Sequence, residues 1–174
     1  MARFLLIRHG QADYELAEIR RLKGLGRDLV PLTPAGVRQV EATATSLPAL
    51  ALLLSSPMTR ALQTAAILAG RLGVPLQVEY ELHEWLPDLT GTYDGVEAVR
   101  LAHEDYVRCK GEWPPGERRA WEPRSAVVSR ATAVLRRYEH VGGHVGVVCH
   151  GVVIDALTGV SVETADWVEY SGGA

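Results

Sequence analysis

The sequence predicts an α/β fold, a three-layer αβα sandwich in which a largely parallel central sheet is covered by helices and by a small cap. Short apolar strands alternate with amphipathic helices along most of the 174 residues, as in parallel sheets. In addition, strand 4–7 and strand 146–149 both lead into a His-Gly pair, whose histidines are His9 and His150. Because ligands bind at the carboxyl ends of strands in such sheets, we expect both imidazoles at one sheet edge.

The composition is typical of one domain over residues 1–174, with 47% hydrophobic and 22% charged residues. A net charge of -3 argues against a nucleic-acid partner and against an anionic membrane surface. The longest apolar run, 47–54, contains Pro48 and is far shorter than the roughly 20 residues that cross a bilayer. Since there is also no signal-peptide pattern and no CxxC pair, we expect a cytoplasmic protein with reduced cysteines.

The first elements have clear boundaries. Strand 4–7 consists of four large apolar residues, and Gly10 permits the sharp turn that follows it. The polar stretch 11–28 contains the basic segment Arg20 to Arg27, which either overhangs the site and attracts an anion or forms a solvated surface. Thr33 is the predicted N-cap of a helix that has Pro34 at its first position and ends before Pro48.

A second buried strand is predicted over 49–54, and the next helix over 58–72, with Ser56 as its cap and Pro57 at its first position. Arg60 lies in the first turn of this helix, where the positive helix end disfavours a basic side chain. We therefore predict that Arg60 binds an anion that it shares with the helix terminus.

A third strand is predicted over 76–82, with Glu84 just beyond its end. The weaker pattern over 88–123, with one helix at 96–109, indicates a cap over the sheet edge and not a second domain. The remaining predicted elements are a helix over 124–138, strand 146–149, a helix over 152–157, an edge strand over 166–170 and a flexible Gly-Gly-Ala end.

The strand ends bring together Arg8, His9, Arg60, Glu84 and His150. Two arginines and two histidines around one carboxylate are typical of a site for an anion, and guanidinium groups match phosphate oxygens in bidentate geometry. The acid is available as a proton donor. Two histidines and a carboxylate are also a zinc ligand set, but the fixed arginine charges oppose a metal and no HExxH pattern is completed. We expect no metal or other cofactor.

Five motifs together carry a resemblance to a known family. They are RHG at 8–10, LTPAG at 32–36, SSPMTRALQTA at 55–65, LHE at 82–84 and CHG at 149–151. In this order they resemble the histidine phosphatase superfamily, also called phosphoglycerate mutase-like. RHG alone is a weak signal, whereas five ordered motifs at strand ends are a strong one.

The resemblance implies a role for each residue of the site. His9 would attack phosphorus and form a phosphohistidine, while Arg8, Arg60 and His150 would bind the phosphate oxygens. Glu84 would protonate the leaving oxygen and later deprotonate the attacking water. The implied activity is that of a metal-independent phosphomonoesterase of the histidine acid phosphatase type, a phosphoric monoester hydrolase that releases phosphate from a small phosphorylated metabolite.

The sequence leaves more than one function open. The chain is short beside the phosphoglycerate mutases, and a compact cap admits water to the intermediate, which favours hydrolysis over mutase-type phosphotransfer. A protein phosphohistidine phosphatase and a non-catalytic binding module are also compatible with the residues present. The expected partner is a small phosphorylated substrate or phosphate, and a homodimer is compatible with the sequence.

The chain also departs from the family pattern. Many members have an acid, a threonine and an asparagine after RHG, whereas this chain reads Gln11-Ala12-Asp13-Tyr14 and contains no asparagine. The asparagine contact is therefore missing or replaced by Gln11, so the resemblance does not identify the substrate. We expect the tryptophans near the cap to pack within it. The histidines without motif support are expected at the surface, namely His83, His103, His140 and His144.

Overall fold

The computed structural model describes residues 1–170, so the predicted Gly-Gly-Ala end lies outside the described residues. The elements in chain order are β1 (Arg3–Arg8), α1 (Tyr14–Ile19), a 3-10 helix (Gly24–Leu29), α2 (Pro34–Ser46), β2 (Leu50–Ser55), α3 (Thr59–Leu72), β3 (Leu76–Val78), a 3-10 helix (Tyr80–Leu82), α4 (Gly95–Arg108), α5 (Arg124–Arg137), β4 (His144–Cys149), α6 (Gly151–Thr158) and β5 (Trp167–Tyr170). Within residues 1–170, no helix combines the length and the apolar character that a membrane crossing requires.

The strands form one sheet in the order β3-β2-β4-β1-β5, and all neighbours are parallel except β5, which runs antiparallel to β1. Successive residues of β1 point to opposite faces. Phe4 and Leu6 belong to the apolar cluster formed with α5 and α6, whereas Leu5 and Ile7 belong to the cluster formed with α2 and α3. The predicted αβα sandwich with a largely parallel sheet is therefore confirmed.

The loop after His9 is held by the start of α2. Thr33 caps this helix as predicted, because its side chain accepts a hydrogen bond from the Gly36 amide. A Cβ on Gly36 would lie 2.2 Å from the Gln11 carbonyl oxygen, and a Cβ on Gly10 would lie 2.7 Å from the Gly36 carbonyl oxygen. Both motifs need glycine at these positions because the two backbone segments are in direct contact.

The start of α3 differs from the prediction. Ser56 and Pro57 do not begin the helix, since the backbone of Met58 is still non-helical and the first helical residue is Thr59. The Ser56 hydroxyl instead accepts a 3.3 Å hydrogen bond from the Met58 amide and lies 2.7 Å from the His150 ring. Its contact with the histidine takes the place of a helix cap.

The third strand is shorter than predicted. The strand β3 ends at Val78, and the chain then forms the 3-10 helix Tyr80–Leu82. Val78 pairs with Ser55, the last residue of β2, and β2 is the neighbour that pairs with β3. Residues beyond Val78 therefore have no strand to continue the ladder with, and the chain turns toward the site.

The tryptophans around α4 pack as expected. The Trp121 indole N–H donates to an Asp105 carboxylate oxygen at 2.8 Å, and that of Trp113 donates to the Trp121 carbonyl oxygen at 2.9 Å. The Trp85 indole N–H donates to the Glu122 carbonyl oxygen at 2.7 Å. Each of these indoles thus has its polar atom satisfied inside the fold.

Candidate active site

Three adjacent strands deliver their following residues to one edge of the sheet. His9 follows β1, Ser56 follows β2 and His150 follows β4, and the last residue of β1, Arg8, lies opposite the last residue of β4, Cys149. The His9 and His150 rings have their centroids 5.2 Å apart, with an angle of 62° between the planes. The two imidazoles are therefore neighbours, as the paired His-Gly turns predicted.

The hydrogen bonds of His9 define its tautomer. Nδ1 lies 2.7 Å from the Gly10 carbonyl oxygen, and Nε2 lies 3.2 Å from Nε of Arg60. A carbonyl oxygen can only accept and a guanidinium can only donate, so Nδ1 carries the hydrogen and Nε2 offers its lone pair. Burial, followed by the charge of Arg60, lowers the pKa of His9 to about 3. The ring is neutral over the physiological pH range, as a nucleophilic imidazole must be.

His150 is completely buried. Its Nε2 lies 2.7 Å from the Ser56 hydroxyl oxygen, and its Nδ1 has no hydrogen-bond partner among the described residues. Burial and the charge of Arg60 hold the pKa of His150 well below its usual value. The Ser56 hydroxyl accepts from a backbone amide and has its own hydrogen to donate to Nε2, in which case Nδ1 carries a hydrogen. A buried ring nitrogen without a hydrogen-bond partner destabilises the fold, unless a bound ligand supplies that partner.

Arg60 is 3% exposed, which is unusual for an arginine. Its Nε donates to His9, its Nη1 pairs with Asp28 at 3.1 Å and its Nη2 lies 3.3 Å from the Met58 sulfur. Asp28, on the 3-10 helix Gly24–Leu29, was not predictable from the sequence, because it belongs to none of the five motifs and follows a basic stretch. These three contacts fix the orientation of the guanidinium group, with its Nε–H directed at His9.

Arg8 approaches the site from another direction. A Cβ on Gly151 would lie 3.4 Å from both Nε and Cζ of Arg8, so the guanidinium rests directly on that glycine. Its Nη1 donates to the Val162 carbonyl oxygen at 2.8 Å, while its buried Nε has no partner among residues 1–170. The charge of Arg8 lowers the pKa values of His9 and Glu84. It therefore adds positive potential and an unpaired donor next to His9.

Glu84 lines a cleft together with Arg60 and Met58. One of its carboxylate oxygens, Oε1, accepts a hydrogen bond from the Trp85 amide at 2.8 Å. Burial raises the pKa of the Glu84 carboxyl, against the opposing charge of Arg60. A raised pKa makes a carboxyl better able to donate a proton as a general acid.

The backbone of the segment that contains Glu84 is held in place by hydrogen bonds from Arg130 on α5. Arg130 donates to the carbonyl oxygens of Glu81 at 2.5 Å, His83 at 2.8 Å and Glu84 at 3.4 Å. It also forms a buried ion pair with Glu122, with a nitrogen to oxygen distance of 2.7 Å. The pairing of Arg130 with Glu122 was not predictable from the sequence, because Arg130 occurs within an ordinary amphipathic helix pattern. Arg130 positions the backbone of Glu84 and does not reach the cleft.

The prediction that His83 lies at the surface is wrong. Its side chain is buried, and Nδ1 lies 2.7 Å from the Glu84 carbonyl oxygen. Arg130 holds the backbone of this segment against α5, and the Tyr80 ring packs beside the imidazole with the two centroids 5.3 Å apart. Of the other three, His103 and His140 are exposed and His144 is partly exposed.

The cleft that Arg60 and Glu84 line has a volume of about 540 Å³, and the hydrogen bond between Arg60 and His9 connects it to the nucleophile candidate. Tyr14 lies at the wall of the cleft, and its ring centroid is 5.8 Å from the guanidinium carbon of Arg60. Gln11, the expected replacement for the family asparagine, instead uses its side-chain oxygen to accept from the Thr33 hydroxyl at 3.0 Å. It does not line the cleft, and Tyr14 is the residue after RHG that does.

The basic stretch 20–27 contributes one of its members to this cleft. Arg27 lines it and forms an ion pair with Glu18 at 2.7 Å. Arg20 and Arg21 are exposed, and Lys23 pairs with Asp94 at 2.7 Å. The stretch therefore does not form a free basic patch over the cleft.

Within residues 1–170, no group of three or more His, Cys, Asp or Glu side chains is arranged so that it could hold a metal ion. His9, His150 and Glu84 thus lack the mutual geometry of a three-ligand zinc site. The competing interpretation of the sequence has no geometric support.

The three buried histidines predict a loss of stability in mild acid. The pKa values of His9, His83 and His150 are all lowered in the fold, chiefly by burial. Between their unfolded pKa of about 6.5 and their lower folded values, the unfolded chain binds more protons, so the free energy of unfolding falls as pH falls. Each histidine contributes about 1.4 kcal/mol per pH unit in that window. Urea titrations of His83→Gln between pH 7 and pH 5 are expected to show a shallower pH dependence than those of the native chain.

The control for that experiment is His140→Gln, since His140 is exposed. Its pH dependence of unfolding is expected to match that of the native protein. If the free energy of unfolding changes equally with pH in the native chain and in His83→Gln, the prediction is contradicted.

Comparison with known proteins adds an independent line of support for the fold and the family. The family model for the histidine phosphatase superfamily (branch 1) matches residues 4–167. No curated protein compared with the sequence matches it.

Solved structures give further similarities. A mycobacterial glucosyl-3-phosphoglycerate phosphatase in complex with VO3 superposes with a TM-score of 0.74 at 23% identity, covering 100% of this chain and 93% of the other. YhfR from Bacillus stearothermophilus has a TM-score of 0.68 at 26% identity, covering 90% and 78%. A protein proposed to be an α-ribazole-5′-P phosphatase of Escherichia coli K-12 has a TM-score of 0.66 at 25% identity, covering 97% and 90%.

Proposed function

The chain belongs to the histidine phosphatase superfamily, and on this premise we propose that it is a metal-independent phosphomonoesterase that forms a phosphohistidine on His9. The observation that carries the proposal is the neutral His9 ring, whose Nε2 lone pair lies beside the buried guanidinium of Arg60. A nucleophile without a proton next to a fixed cation is suited to attack a phosphate ester. The solved phosphatases of similar fold support the same class of reaction.

In the first step, Nε2 of His9 attacks phosphorus in line and the phosphorus–oxygen bond to the alcohol breaks. Arg60 must transfer its Nε–H hydrogen bond from the His9 nitrogen to a phosphoryl oxygen, since the same lone pair makes the new bond. The unpaired buried nitrogens of Arg8 and His150 are the other candidate donors to the phosphoryl oxygens. The proton of Glu84 goes to the leaving oxygen, which avoids the release of an alkoxide.

In the second step, water attacks phosphorus, its proton goes to the Glu84 carboxylate and the phosphorus–nitrogen bond breaks. The Gly10 carbonyl oxygen accepts from Nδ1–H throughout, so it stabilises the positive charge that the ring carries while it is phosphorylated. Inorganic phosphate leaves and His9 returns to its neutral tautomer. Tyr14 and Val96 at the cleft wall are 45% and 60% exposed, which is compatible with access of water to the intermediate and favours hydrolysis over mutase-type transfer.

The test is turnover of an aryl phosphate in the presence of excess chelator, combined with rapid denaturation and mass spectrometry of the protein. We expect activity that survives the chelator, together with a phosphoryl group on the peptide that contains His9. Loss of activity with the chelator would overturn the metal-independent mechanism. Turnover without a phosphorylated peptide during steady state would count against His9 as the nucleophile.

The role of Glu84 predicts a dependence on the leaving group. Since general acid catalysis contributes about 10²-fold to 10⁴-fold, we expect Glu84→Gln to lower kcat/KM for alkyl phosphates by about 10²-fold or more. The loss is expected to be much smaller for 4-nitrophenyl phosphate, whose phenolate leaves without a proton. Because a general acid must be protonated and burial raises the pKa of Glu84, native activity falls as pH rises through that pKa.

The readout is the alkaline limb of the pH profile, measured on one substrate so that the ionisation of the ester is common to both enzymes. This limb should disappear in Glu84→Gln. The control is Glu139→Gln, a change of the same kind at an exposed carboxylate outside the cleft lining. An equal loss for alkyl and nitrophenyl esters in Glu84→Gln would show that Glu84 acts in some other way.

A further inference from the structure

Beyond the residues that would bind the phosphate, most of the side chains that line the cleft are apolar. One side is a single face of α4, on which Val96, Val99 and His103 follow each other at helical spacing. Tyr14, which lies near Arg60, and Trp85, whose ring contacts that of His103, also line the cleft. The remaining apolar contributors are Met58, Leu86, Pro87, Tyr93 and Val152.

The charges along this cleft are either paired or negative. Of the two arginines that line it, Arg27 pairs with Glu18 at 2.7 Å and Arg60 pairs with Asp28 at 3.1 Å. Glu15 adds a further carboxylate to the lining. Among the described residues, the cleft therefore offers no unpaired arginine or lysine outside the group that would bind the transferred phosphate.

Resting on the proposed function, we propose that this cleft selects phosphomonoesters whose alcohol part is apolar and carries no second anionic group. An apolar ring bound against Tyr14 and the α4 face would be removed from water together with the apolar surface that it covers, which favours binding. A carboxylate or second phosphate in the same place would lose part of its hydration and would find no unpaired cation, while Glu15 would repel it. The cleft thus discriminates both by apolar contact and by charge.

The charge of the alcohol part can be tested with a matched pair of esters, 4-carbamoylbenzyl phosphate and 4-carboxybenzyl phosphate. The two have nearly the same shape, and the methylene group insulates the leaving oxygen from the substituent. We expect kcat/KM to be about tenfold or more higher for the amide, because the carboxylate is desolvated without a partner. The kcat/KM for benzyl phosphate should likewise be about tenfold or more higher than that for methyl phosphate, since only the benzyl group is large enough to contact the apolar wall.

A charge placed on the wall should reverse part of this preference. Val96 is 60% exposed, so Val96→Lys adds an ammonium group at the mouth of the cleft without disturbing the core. The ratio of kcat/KM for the amide over the carboxylate should fall by about fivefold, the effect of one exposed charge pair worth about 1 kcal/mol. The control is Leu101→Lys, which adds the same charge to the same helix at a 53% exposed position outside the cleft lining and should leave the ratio unchanged.

The outcomes separate this inference from the proposed function. Turnover of both esters with equal kcat/KM would overturn the inference and leave the phosphatase intact. If no ester is turned over, the phosphatase proposal fails, and calorimetric affinities of the two corresponding benzylphosphonates test the cleft by itself. Equal affinities would overturn the inference, whereas a tenfold preference for the amide, weakened in Val96→Lys but not in Leu101→Lys, would support it.

Discussion

Replacing His9 by alanine is expected to lower kcat by about 10⁴-fold to 10⁶-fold, the range for loss of a covalent nucleophile. The substitution removes the Nε2 lone pair that lies beside Arg60, and no second imidazole can replace it. His150, the neighbouring ring, is tied to Ser56 through its Nε2 and is completely buried. The measurement is kcat for an aryl phosphate with excess chelator, at mildly acidic to neutral pH.

Two further measurements make this result specific. His140→Ala changes an exposed histidine far from the cleft in sequence and should retain native kcat. Circular dichroism and thermal stabilisation by phosphate should show that His9→Ala is folded and still binds the anion through Arg8, Arg60 and His150. A folded His9→Ala variant with kcat within tenfold of the native value would overturn the phosphohistidine mechanism.

Replacing Arg130 by methionine is expected to lower the free energy of unfolding by about 3 to 5 kcal/mol, the cost of removing one partner from a buried ion pair. The change leaves the Glu122 carboxylate buried without its counter-charge. It also frees the carbonyl oxygens of Glu81 and His83 from their hydrogen bonds to Arg130. For a chain of this length, the loss corresponds to a fall in Tm of roughly 6 to 20 °C.

The matched control is Arg137→Met on the same helix. Arg137 pairs with Glu79, but its side chain is half-exposed, so its loss should cost at most about 1 kcal/mol. The double variant Arg130→Met with Glu122→Leu should recover part of the loss, because an apolar pair does not leave a buried charge. A cost below about 1 kcal/mol for Arg130→Met would show that the buried pair does not anchor this segment.

The local pattern of the chain was sufficient to predict the sheet, most of the helices and the residues that meet at its edge. Apolar runs of strand length, helix caps such as Thr33 and the repeated His-Gly turns depend on a few neighbouring residues. The parallel arrangement then places the ends of β1, β2 and β4 side by side by necessity. His9 and His150 are neighbours for this reason.

Where the predictions were wrong, contacts between distant segments decided the outcome. The third strand stops at Val78 because its only neighbour in the described sheet ends there, and propensity alone could not show this. Ser56 contacts His150 and does not cap a helix, and these two residues are far apart in the chain. Similarly, His83 is buried in a segment whose backbone is held by Arg130, a residue far away in the chain.

By itself, the sequence determined the fold class, the family resemblance and the set of residues at the sheet edge, because these follow from local patterns and from the geometry of parallel strands. Only the tertiary structure decided the His9 tautomer, the pairing of Arg60 with Asp28 and the apolar wall of the cleft. Those features arise where side chains from separate elements meet. Burial and partner charges then set their pKa values and hydrogen bonds, and neither can be read from neighbours in the chain.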